Sequence, residues 1–155
     1  MRYNSGVRLA ACAVVLLAAL AAASCGSGTT VELVWGGPPK PGPGGVVSTK
    51  GFASFQEGVD EMWERSAAMA AAEFLRLDER KAARITIDAK AGGEGAGPQI
   101  VVVTLDGVPD DSVRSERWTL GFDESDGVYT LTSALHEQRC RPGRGHEGYT
   151  PEPCV

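Results

Sequence analysis

Apolar side chains recur at three- and four-residue steps through Phe55, Val59, Met62, Trp63, Ala67, Ala70, Phe74 and Leu77. That spacing lines one face of a helix from about Phe55 to Asp78. Ser54-Phe-Gln-Glu57 precedes it as a capping box, serine accepting a backbone amide and glutamate reaching back. Downstream the period drops to two. Arg84-Ile-Thr-Ile-Asp88 alternates, with Ile85 and Ile87 on one face. Gln99 to Leu105 is apolar on both faces, as a central strand would be. A third strand, about Val113 to Phe122, puts Trp118, Leu120 and Phe122 on one side. A fourth, Val128 to Arg139, turns Tyr129, Leu131 and Leu135 inward. The glycine-rich loop Ala91 to Pro98, Asp106-Gly107, Pro109-Asp-Asp111 and the hairpin loop Asp123 to Gly127 supply the turns.

A helix followed by an antiparallel meander predicts an α+β layer pair. The expected picture is one long helix packed on a curled antiparallel sheet of about four strands. This architecture resembles cystatin-like and half-NTF2-like folds, a likeness of layers that carries no activity. The aromatic and methionine stripe on the helix reads as core rather than as a ligand box. No internal repeat is visible.

Before the helix the composition changes. Gly26 to Lys50 is rich in Gly, Pro, Ser and Thr. The run Gly36 to Gly45 resists helix and ladder, because prolines lack the amide donor and glycines cost backbone entropy. It predicts a flexible, extended spacer. Thr30-Val-Glu-Leu-Val-Trp35 is the exception, with strand-like residues that would suit an edge strand. The expected organisation is a signal peptide over 1–24, a lipidated tether over 25–50 and one domain over 51–155.

The leader carries that expectation. Arg2 and Arg8, an apolar stretch from Leu9 to Ala23, and small residues before Cys25 have the layout of a secretion signal. Fifteen residues rise about 23 Å as a helix, short of the roughly 30 Å hydrocarbon core. Ala22-Ala23-Ser24-Cys25 resembles the bacterial lipobox, although Leu20 lies five residues before the cysteine rather than three. The resemblance implies cleavage before Cys25 and a diacylglyceryl group on its sulfur. Each buried methylene contributes about 0.8 kcal/mol, so two acyl chains hold where one is marginal. The expected location is therefore the extracytoplasmic face of the cell membrane. Plain secretion with a bare Cys25 is the alternative.

Charge narrows the partners. All twenty acidic residues follow Cys25, while Arg2 and Arg8 are two of the fifteen basic ones, so the mature charge is 13 minus 20, or −7. A net acidic chain without a basic stripe argues against nucleic acid and against electrostatic adhesion to anionic lipid. The expected partners are the membrane, through the anchor, and an envelope protein or a small ligand.

Cys12 leaves with the leader and Cys25 takes the lipid, which leaves Cys140 and Cys154. An even pair in an oxidising compartment predicts a disulfide that closes the tail. The rival reading, a metal held by Cys140, Cys154, His136 and His146, lacks the tightly spaced ligand pairs of zinc sites. No metal or cofactor is expected. Arg139, Arg141, Arg144 and His146 form a basic cluster in this acidic chain. Arginine forks match phosphate or carboxylate, so the cluster is a candidate docking patch. The plainer reading is a solvated loop paired with nearby carboxylates.

The tail, Cys140-Arg-Pro-Gly-Arg-Gly-His146 through Tyr149 to Glu152-Pro-Cys154-Val155, resembles the C-terminal end of actinobacterial secreted proteins and lipoproteins, including the LppP/LprE group. The likeness covers about the last forty residues. It implies an envelope location and the disulfide, and no reaction. Elsewhere there is no nucleophile elbow, phosphate loop, metal-binding helix or dinucleotide fingerprint. The Asp123 to Gly127 loop lacks the alternating acids of a calcium loop. The chain reads as a non-catalytic binding lipoprotein. A structural or inhibitory module, and an enzyme assembled only in three dimensions, are the alternatives.

Overall fold

The computed structural model describes residues 33–90 and 98–155. The predicted signal peptide, Cys25, the first part of the tether and the loop over 91–97 lie outside the described residues. So do Val31 and Glu32 of the candidate edge strand. Leu33 to Trp35 carry no strand.

The sheet follows the expected meander. Strands β1 (Arg84–Lys90), β2 (Gln99–Asp106), β3 (Val113–Ser125) and β4 (Val128–Cys140) pair antiparallel in the order β1-β2-β3-β4. The β3–β4 hairpin is tighter than expected. Its strands run on through Asp123 to Ser125 and turn on Asp126 and Gly127 alone. Both turn residues have positive φ, 55° and 77°, which matches the strand twist across a two-residue turn.

The helical layer departs from expectation. Instead of one long helix there are two short ones, α1 (Lys50–Gln56) and α2 (Ala67–Leu75). A single 3₁₀ turn, Met62–Arg65, lies between them. The break has a local cause. At Gly58-Val59 the amides bond three residues back, to Phe55 and Gln56, which closes α1. A new start follows at Glu61, whose amide is capped by the Glu64 carboxylate at 2.9 Å. That reciprocal cap displaces the one expected at Ser54 and Glu57. Ser66 then caps α2. Its end is a Schellman turn, with Arg76 left-handed and the Leu77 amide bonding Ala72. The apolar period survives the break because both pieces bury the same aromatic layer. Phe52, Phe55, Trp63 and Phe74 pack with ring centroids 5.3–6.0 Å apart.

The described part of the expected tether lies on the domain rather than hanging free. Trp35 stacks on Phe74 at 5.9 Å and meets Phe52 at 5.1 Å. Its indole donates to the Phe74 carbonyl at 2.8 Å, and Arg76 donates to the Trp35 carbonyl at 2.6 Å. Val47 is buried, its amide bonded to Ala134 at 2.9 Å. A half-buried tryptophan gains enough apolar contact to override the disorder that proline and glycine favour. Pro43–Gly45 winds into one 3₁₀ turn, and Gly45 has φ +76° where a Cβ would collide with the His136 carbonyl.

Trp118, Leu120 and Phe122 face the core as expected, with Val101, Val103 and Leu105 beside them. β4 changes face midway. Gly121 pairs with Ser133 but Phe122 pairs with Leu131, so Thr132 is an extra residue. A bulge of this kind reverses the alternation beyond it. Leu131 and Ala134 are therefore both buried, and Leu135 turns to the outer face, against expectation, where Val46 bridges it. Gln56 secures the bulge from α1, donating to the Tyr129 carbonyl at 2.9 Å and accepting from the Leu131 amide at 3.2 Å.

Candidate functional site

The edge of β4 gathers the chemistry. Val46 bridges Leu135 and Thr150 bridges Gln138, so the Pro-Gly segment and the tail meet along one strand. Between them opens a cleft of about 560 Å³, walled by Pro41, Pro43, Pro151 and Pro153 and floored by His136 and Gln138. The Gln138 amide donates to the Glu152 carbonyl at 2.9 Å, which fixes one wall.

The floor connects to a half-buried charge. The His136 ring lies tilted against Trp118, with centroids 4.4 Å apart, and its Nε2 is 3.5 Å from Glu116. The same Glu116 oxygen is 3.3 Å from Arg80 and 3.3 Å from the Trp118 indole. Burial pushes the Glu116 carboxyl up, but contact with His136 and the Arg80 charge outweigh it and hold the group below its ordinary value. A second opening, about 330 Å³, reaches Glu116 from beside Arg80 and Pro109. The sequence marks Trp118 as core and offers His136 as a ligand, but does not group them with Glu116 and Arg80. The cluster's signal is parity: Glu116 shares the inward face of β3 with Trp118 and Leu120, where a charge requires a partner.

A depressed carboxyl contributes stability that is present above its unfolded value and lost as pH falls through the folded one. The melting temperature should therefore drop on acidification below about pH 4, with part of the drop absent in Glu116→Gln. Melting curves between pH 3 and 6 check this; parallel profiles for the two proteins would refute it.

Cys140 and Cys154 form the disulfide, with Cα atoms 5.5 Å apart and a sequence separation of 14. His146 lies 3.4 Å from the Cys140 sulfur. The donor atoms of Cys140, His146 and Cys154 fall within 4.8 Å of one another, but the two sulfurs are bonded together rather than free as thiolates. Hydrogen bonds to the Gly148 and Glu152 carbonyls raise the His146 pKa, since both ring nitrogens then act as donors. That contribution is present at low pH and fades as pH rises through the folded value.

The basic cluster is engaged internally. Arg141 donates to the Asp110 and Val108 carbonyls at 3.0 and 3.3 Å, tying the tail to the β2–β3 loop. Arg144 lies 3.7 Å from Asp111. Arg139 and Arg117 flank the Tyr149 ring at 5.7 and 4.4 Å, and the Tyr149 hydroxyl meets Ser115 at 2.9 Å. Asp110 caps the loop through the Val113 and Ser112 amides, which lower its pKa. No family model, curated protein or solved structure matches the chain.

Proposed function

We propose that the chain is a lipid-anchored lipoprotein on the extracytoplasmic face of the cell membrane, acting without catalysis by binding an envelope protein. The carrying observation is that the buried residues form one apolar core cluster, while the opening at the β4 edge is a surface cleft walled by prolines and glycines. Enclosed apolar cavities with converging polar groups suit small ligands, and open surfaces suit protein contact. Val34 and Val46, which flank the Pro-Gly wall in sequence, are exposed apolar side chains that support such a contact. The disulfide fits an oxidising compartment. The likeness of the tail to LppP/LprE-type proteins and of Ala22–Cys25 to a lipobox supports the envelope location. Membrane attachment falls to Cys25.

A photocrosslinking residue at Pro41, on the cleft rim, should capture a discrete envelope protein in intact cells. The same probe at Glu124, on the β3–β4 hairpin, should not. Equal capture at both positions, or none at Pro41, would remove the cleft from the account.

A further inference from the structure

The two edges of the sheet differ. β4 is covered by Val46 and Thr150, whereas no described residue bridges the outer edge of β1. β1 pairs with β2 over all seven residues without a bulge, has no proline, and is exposed throughout. Ile85 and Ile87 lie on the face that carries the core residues Leu105 and Val103, yet remain 37% and 38% exposed. Proteins normally blunt such an edge or pair it.

Main-chain direction follows from the register. The Gly107 amide bonds Arg114 of β3, so Asp106, Thr104 and Val102 present their backbone groups to β1. Their partners Arg84, Thr86 and Asp88 answer inward, and the amides and carbonyls of Ile85 and Ile87 point out of the sheet.

We infer that β1 pairs antiparallel with β1 of a second copy of this chain, about a two-fold axis at Thr86, making one eight-stranded sheet. In that register Ile85 faces Ile87 twice through backbone hydrogen bonds. Thr86 faces Thr86, and Arg84 faces Asp88 twice on the outer surface. Charge selects it: centring one residue later, on Ile87, opposes Arg84 to Lys90 at both ends, and like charges directly opposite destabilise. The contact is isologous and closes on itself, so it ends at a dimer. It does not depend on the lipid anchor.

The full chain carrying Thr86→Cys tests this in membranes and in detergent. Thr86 opposite Thr86 is a non-hydrogen-bonded pair, with Cα atoms about 4.5 Å apart, within reach of a disulfide. Mild oxidation should give a covalent species of twice the chain mass. Thr104→Cys, one strand inward, should stay monomeric. Adding Arg84→Asp to Thr86→Cys should slow crosslinking roughly tenfold, and adding Asp88→Arg as well should restore it. Crosslinking no faster than Thr104→Cys, an adduct with a protein of another mass, or failure of the charge swap to restore pairing would each overturn the inference.

Discussion

Cys140→Ser is expected to destabilise the protein by about 3 kcal/mol, the chain-entropy value for a loop near fifteen residues. For a domain of this size that lowers the melting temperature by roughly 12–24 °C. The enclosed stretch has no core of its own. Among its residues, Tyr149 packs against Arg117 of β3, and Thr150 bridges Gln138 of β4, the strand that ends at Cys140. Without the bridge those contacts must hold a tail of prolines and glycines against its conformational entropy. Tail cleavage by protease should therefore accelerate along with the loss of stability, and reducing the native protein should reproduce both effects. An unchanged melting temperature in Cys140→Ser, with no new cleavage beyond Cys140, would mean that the packing alone holds the tail.

The proposed anchor carries the second large effect. Two acyl chains on Cys25 would bury tens of methylenes at about 0.8 kcal/mol each, far beyond what a single chain provides. Cys25→Ala should accordingly move the protein almost entirely from the membrane fraction to the soluble one. The domain should keep its fold, because the described core is built from residues between Val47 and Ala134.

The four strands were legible because period-two alternation is local, and a strand facing a core must obey it. Leu135 was misplaced because a bulge is set by pairing: Gly121 and Thr132 mark it only once β3 and β4 are opposed. The helix was misread for a similar reason. Phe55, Trp63 and Phe74 keep step with one helix, and the break at Gly58 shows only in how α1 closes and Glu61 caps the next turn. Trp35 was hidden in a segment whose prolines and glycines suggested a spacer, although one large aromatic ring was enough to dock it. The disulfide needed only compartment and count. The Glu116 cluster draws on Arg80, far away in sequence, and parity alone would have marked its charge as inward-facing.

The fate of the Cys25 sulfur in the cell sets where the protein resides. Intact mass spectrometry of the protein isolated from its native membrane decides it. The expected result is a chain that starts at Cys25 and is heavier than its peptide mass by a diacylglyceryl group. A chain that retains the leader, or one that starts elsewhere with no lipid attached, would contradict it.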